Sequence, residues 1–129
     1  MKKTILLTIF LLTLLGVIDA QTKKSQGSDI TFEQLNHNFG KLKRGGEKVV
    51  HLFEFTNNST APLIITRTTT SCRCISVKYP KRPIAAGASS QIEVTYDPKD
   101  VGAFNKSIDI HANIPGGTIT LLVTGVVED

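Results

Sequence analysis

The segment Gln91-Ile92-Glu93-Val94-Thr95-Tyr96 alternates polar and apolar residues without interruption. Successive side chains of an extended strand point to opposite faces, so this pattern builds a strand with one buried face. The same two-residue period returns along much of the chain. Ile30-Thr31-Phe32-Glu33 begins it and leads to Phe39-Gly40, and Glu47 to Thr56 places Val49, His51, Phe53 and Phe55 on one side. Leu63-Ile64-Ile65-Thr66 is apolar on both sides, as a central strand is, and the Thr-rich run to Thr70 carries the chain onward. Ile75, Val77 and Tyr79 continue the alternation, then Phe104, Ile108 and Ile110, then Ile119, Leu121 and Val123 in a last strand from Thr118 to Val127. Asn57 to Pro62, Pro80 to Gly87, Asp97-Pro98 and Asn113 to Gly117 supply the turns. About seven short strands separated by turn residues predict an all-β sandwich with Greek-key links. Its expected core is Phe53, Phe55, Ile65, Ile92, Val94, Ile108, Ile110, Leu121 and Val123.

The first residues read differently. Lys2 and Lys3 precede an apolar run from Thr4 to Leu15, and Ile18-Asp19-Ala20 ends on a small residue. That is the grammar of a secretory signal peptide cut before Gln21. A membrane-spanning helix needs about 20 apolar residues, more than this run offers. Residues 1–20 are therefore read as a signal peptide and 21–28, polar and without period, as a flexible leader. Residues 29–129 are read as one sandwich domain. The expected location is periplasmic or secreted, with no membrane span after cleavage. A net charge of +4 is too small to suggest nucleic acid. Lys41, Lys43, Arg44 and Lys48 cluster near Gly45-Gly46, and are read chiefly as a solvated loop.

Two cysteines, Cys72 and Cys74, are the only ones in the chain. In an extended strand their α-carbons lie about 6.6 Å apart. That is close to the upper limit for a disulfide, so a bridge requires a bend in the chain. The loop it closes is very short and adds little stability. Three readings compete: a local disulfide or packed thiols, a copper(I) site with two thiolate ligands, and a thiol-exchange role with Arg73 lowering a cysteine pKa. Zinc wants four ligands, so His37, His51 or His111 would have to join the pair. No Cys-x-x-Cys motif is present.

Other candidates are weaker. Ser89 and Ser90 stand outside any nucleophile-elbow motif. Asp97, Asp100 and Asp109 do not match a calcium loop. Asn57, Asn58 and Asn105 fall in N-x-S/T sequences and are read as turn or strand residues. No catalytic constellation emerges, and a non-enzymatic module is expected.

One ordered set of pieces resembles a known family. Phe39-Gly40, Phe53-Glu54-Phe55-Thr56-Asn57, Pro62-Leu63-Ile64-Ile65, Ser71-Cys72-Arg73-Cys74, Gly87 before Ile92-Glu93-Val94, and Gly125-Val126-Val127 occur in sequence. Together they resemble the bacterial secreted domain of unknown function 1573 (DUF1573). That domain is immunoglobulin-like and related to major sperm protein and cilia-associated domains. In the family the first cysteine is typically followed by Gly, where this chain has Arg73. The resemblance implies an immunoglobulin-like β-sandwich, export in Bacteroidetes-like bacteria, and no established catalytic residues. Related domains suggest binding to a protein partner, with strand addition along an unpaired edge as one route. The expectation is an exported, non-enzymatic binding or structural module of the bacterial envelope. The alternative is a periplasmic copper(I)-handling or thiol-redox protein in which Cys72 and Cys74 hold the metal.

Overall fold

The computed structural model describes residues 29–129; the signal peptide and leader read at residues 1–28 lie outside them. Eight strands follow one another: β1 (Ile30–Phe32), β2 (Asn36–Lys43), β3 (Val49–Asn57), β4 (Ile65–Thr70), β5 (Ile75–Lys78), β6 (Ser89–Tyr96), β7 (Gly102–Ala112) and β8 (Thr118–Glu128). They form two four-stranded sheets, ordered β1-β3-β6-β5 and β2-β8-β7-β4. This is the immunoglobulin arrangement, in which the chain repeatedly crosses between two sheets packed face to face. No helix among the described residues is long and apolar enough to cross a membrane.

The expected core is the observed one. Phe53, Phe55, Ile92 and Val94 from one sheet meet Ile65, Ile108, Ile110, Leu121 and Val123 from the other, all buried. Each such side chain contributes about 1.5–3 kcal/mol by leaving water. Ile30, Leu63, Ile75, Ile84, Tyr96, Phe104 and Val127 complete the core.

The eighth strand comes from the segment between Phe32 and Lys43, where only a passage to Phe39-Gly40 was expected. Ile30 and Phe32 face inward from β1, which pairs antiparallel with β3. The next inward residues, His37 and Phe39, are on odd positions, so the alternation has slipped by one. A one-residue slip turns every side chain to the other face. Here it marks the point where the chain leaves one sheet for the other, and β2 pairs parallel with β8. A second slip follows at Gly40, whose φ of 74° suits glycine. The register shifts between Asn38 and Lys41, and the Asn38 side-chain oxygen accepts the Gly40 N–H at 2.8 Å. Leu42 thereby returns inward across a β-bulge.

A correction concerns the segment Leu63 to Thr66. It was expected as a central strand, yet β4 begins at Ile65 and forms the edge of its sheet, paired only with β7. Leu63 is buried through a single bridge to Ile84, whereas Ile64 stays exposed. The Ile64 N–H is capped by the Asn113 side chain at 2.7 Å. Apolar character on both faces therefore reflects a crossover between sheets, where each residue serves a different neighbour.

Candidate functional site: an open sheet edge and its disulfide turn

β4 lies at the edge of one sheet and β5 at the edge of the other, so the turn joining them runs along one flank of the sandwich. The ladder orients the backbone of β4. Arg67 pairs with His111 and Thr69 with Asp109, and the Ser71 N–H donates to the Ser107 carbonyl at 3.1 Å. Since strand amides alternate sides, Arg67, Thr69 and Ser71 turn their backbone groups toward β7. Thr68 and Thr70 turn theirs away, toward solvent.

The side chains of this edge are mutually braced. The Thr66 hydroxyl donates to the His111 carbonyl at 3.2 Å, and the Tyr79 hydroxyl donates to the Thr66 carbonyl at 3.3 Å. His111, on the outer face of β7, sits between Thr69 at 3.2 Å from Nε2 and Thr118 at 3.1 Å from Nδ1. On the next rung the Thr120 hydroxyl donates to Asp109 at 2.6 Å. A threonine ladder across three strands thus stiffens the sheet up to its open edge.

Cys72 and Cys74 follow directly. They occupy a turn between β4 and β5, with α-carbons 5.2 Å apart, closer than an extended strand would hold them, and are joined as a disulfide. The bend that such a bridge requires is present. It is held by the Thr70 hydroxyl donating to the Cys72 carbonyl at 2.9 Å and by the Ile75 N–H reaching the same carbonyl at 3.3 Å. The Asp97 N–H donates to the Cys74 carbonyl at 3.0 Å, tying the turn to the end of β6. Both cysteines are half-buried against the core, while Arg73 at the apex is exposed. A ring this small removes little freedom from the unfolded chain. Replacing both cysteines by serine should lower stability by no more than about 2 kcal/mol, measured by urea denaturation. A larger loss would show that the bridge is a main staple of the fold.

The three histidines do not converge on the cysteines. His37 and His51 meet each other on the opposite flank, from β2 and β3, with ring centroids 3.6 Å apart. His111 is held on the outer face by its threonines. Among the described residues no three or more His, Cys, Asp or Glu side chains gather closely enough to hold a metal ion. The basic cluster is likewise dispersed: Lys41 and Lys43 belong to β2. Lys41 lies 3.9 Å from Glu128, and Arg44 lies 2.6 Å from Asp129. The solvated-loop reading missed that two of these lysines line a sheet edge. Their alternate spacing around Leu42 was the available signal.

Comparison with solved structures places the fold among proteins of distant sequence. An ASH/PapD-like domain of human CEP192 (PapD-like domain 7) superposes with a TM-score of 0.66 at 10% identity, covering 79% of this chain and 87% of that one. A protein of unknown function from Porphyromonas gingivalis W83 gives 0.67 at 19% identity, over 77% of this chain and 46% of that one, so this chain spans about half its length. WR4, an MSP family member of C. elegans, gives 0.53 at 12% identity, over 78% and 99%. At such identities the likeness is one of fold. No curated protein matches the chain in sequence. The family model described as "protein of unknown function (DUF1573)" matches residues 30–127, from the first strand to the last, and this chain belongs to that family.

Proposed function

We propose that this chain is an exported, non-enzymatic immunoglobulin-like module of the bacterial envelope that binds an extended segment of a partner protein along β4. One observation carries the reading: from Arg67 to Thr70, β4 presents regular outward backbone groups at a sheet edge with neither proline nor lysine. Natural edges are shortened, bulged or studded with lysine to discourage pairing. β1 has three residues and β5 four, and β2 carries the Gly40 bulge with Lys41 and Lys43. β4 has six residues, and beyond a register shift between Ile65 and Arg67 it runs regularly to Thr70 without proline or lysine, offering the outward amides and carbonyls of Thr68 and Thr70. An added strand would satisfy them, as in known strand-addition complexes. Arg67 and Arg73 are exposed near this edge and enter no ion pair among the described residues. Acidic residues flanking the partner's strand suit them.

Thr68→Pro tests this. Proline removes an N–H that no residue of β7 uses, so the fold should persist while partner capture falls at least about tenfold in a pull-down from envelope extract. Capture equal to that of the parent by a folded Thr68→Pro protein would refute the β4 site.

The alternative reading, copper(I) handling or thiol exchange at Cys72 and Cys74, requires that their disulfide first be reduced. Its test is separate. The reduced parent should bind copper(I), and the double serine variant should not; equal binding by the two would remove this reading.

A further inference from the structure

The flank opposite β4 is closed by a contact that the binding reading does not use. His37 faces inward from the edge strand β2 and His51 from β3, and their rings stack at 3.6 Å with planes 10° apart. Phe39 meets His37 edge-on at 4.6 Å, and Phe53 meets His51 in the same way at 4.6 Å. The two imidazoles are thus a direct tie between the two sheets at the place where the chain switched from one to the other. β2 has only one strand neighbour, β8, and this stack joins the Phe39–Tyr96 ring contact and Leu42 in the core in holding it to the opposite sheet.

A shared metal ion does not fit the pair. An imidazole nitrogen directs its lone pair within the ring plane, and two nearly parallel planes 3.6 Å apart offer no common point for one ion. What the stack does require is that the rings not both be charged.

We propose that the His37–His51 stack is a pH-operated clasp: neutral rings hold β2 against β3, and protonation releases β2 and bares the edge of β8. The surroundings supply no counter-charge that would let two imidazolium rings stay stacked. Facing the pair are Phe39 from β2, Phe53 from β3, Val94 from β6 and Val123 from β8. On the inner side, Tyr96 is an ionisable group 6.5 Å from Phe39, ring to ring. Its pKa is raised by burial and by Asp100 and Asp97, so it stays neutral. Glu54 on β3 and Glu93 on β6 alternate to the outer face, Glu33 follows β1 beside Glu54, and Lys41 and Lys43 are exposed along β2 with Glu128 at the end of β8. Neither ring has a hydrogen-bond partner among the described residues. Burial lowers the pKa of His37, and burial together with the His37 charge lowers that of His51.

The sign follows. A histidine whose folded pKa lies below its unfolded value takes up protons more readily once released. The clasp is therefore fully effective above the ordinary histidine pKa of about 6.5 and weakens as pH falls through the lowered folded values.

Amide exchange by NMR on the full domain, corrected for intrinsic rates, reads the release. From about pH 7.5 to about pH 5, exchange of the ladder amides of β2 and the facing amides of β8 should accelerate on the order of tenfold, relative to the β3–β6 ladder. The His37→Phe/His51→Phe variant keeps two stacked rings without a titrating group, and should abolish that difference. Ring titrations of the unmodified protein give a second test should the variant fold poorly: both imidazoles are expected to titrate below the free value. Equal protection of β2 at the two pH values, the same acid response in the phenylalanine variant, or rings titrating at or above the free value would each overturn the clasp. None of these outcomes bears on Thr68→Pro, because the two sites lie on opposite flanks.

Discussion

Replacing Asn57 by alanine is expected to destabilise the domain by about 3 kcal/mol or more, a large part of the 5–15 kcal/mol typical of a domain. Asn57 ends β3 and is fully buried. Its side-chain amide donates to the carbonyls of Ala61 at 2.9 Å, Ile84 at 2.9 Å and Ala85 at 3.3 Å. Its side-chain oxygen accepts from the N–H and the hydroxyl of Ser59, at 3.0 and 2.8 Å. Its backbone bonds Ala88 and Gly87. One residue therefore closes the turn after β3 and fastens the loop before β6 to it. Alanine removes both ends of the amide: Ser59 loses its acceptor, and the carbonyls of Ala61, Ile84 and Ala85 each lose one of two donors, keeping the Ser59 hydroxyl, the Leu63 N–H and the Ala88 N–H. Five hydrogen bonds at about 0.5–1.5 kcal/mol each make up the loss. Urea denaturation of parent and variant measures the effect. A loss below about 1 kcal/mol would mean that water or a local shift replaces the amide. Asn57→Asp separates the two halves of the network: it keeps the acceptor for Ser59, loses the donors and buries a charge, and should be at least as harmful at neutral pH.

Gly125→Ala should cost about 2–3 kcal/mol by overpacking, far more than a strand alanine normally does. The position faces inward on β8 opposite Phe104 of β7. A β-carbon there would lie 2.6 Å from Cζ and 2.7 Å from Cε1 of Phe104, and 2.9 Å from the Gly40 carbonyl oxygen. The ring cannot swing aside freely, because Tyr96 stacks on its other side with centroids 4.0 Å apart. The Gly40 oxygen belongs to the bulge of β2 and is backbone. Glycine is thus required at this strand position by the close approach of a ring and a neighbouring strand. Phe104→Leu in the Gly125→Ala background should recover part of the loss, which a double-mutant cycle by thermal denaturation would measure as coupling. A Gly125→Ala protein within about 0.5 kcal/mol of the parent would show that the ring relocates easily.

Much of this was legible in the chain itself. Residues 92, 94, 108, 110, 121 and 123 announce their inward faces through strict alternation, and all six are buried as expected. Gly125 and Asn57 were visible as a glycine in a strand and an asparagine at a turn, but their roles depend on residues far along the chain. The Gly125 neighbour Phe104 and the Asn57 acceptors at 84 and 85 come into reach only through the sheet order. The cysteine pair shows the same division. Spacing predicted that a bridge needs a bend; Thr70 and Ile75 hold that bend locally, while the Asp97 N–H that ties Cys74 to the end of β6 is far along the chain and no local pattern encodes it.

Local alternation by itself determined which side chains of the regular strands point inward. Only the tertiary structure decided which strands are neighbours: that β2 runs parallel to β8, that β4 is an edge with outward amides, and that His37 meets His51. The reason is physical. A period of two fixes orientation about a strand's own axis, whereas neighbour choice is settled by how two twisted sheets share one core.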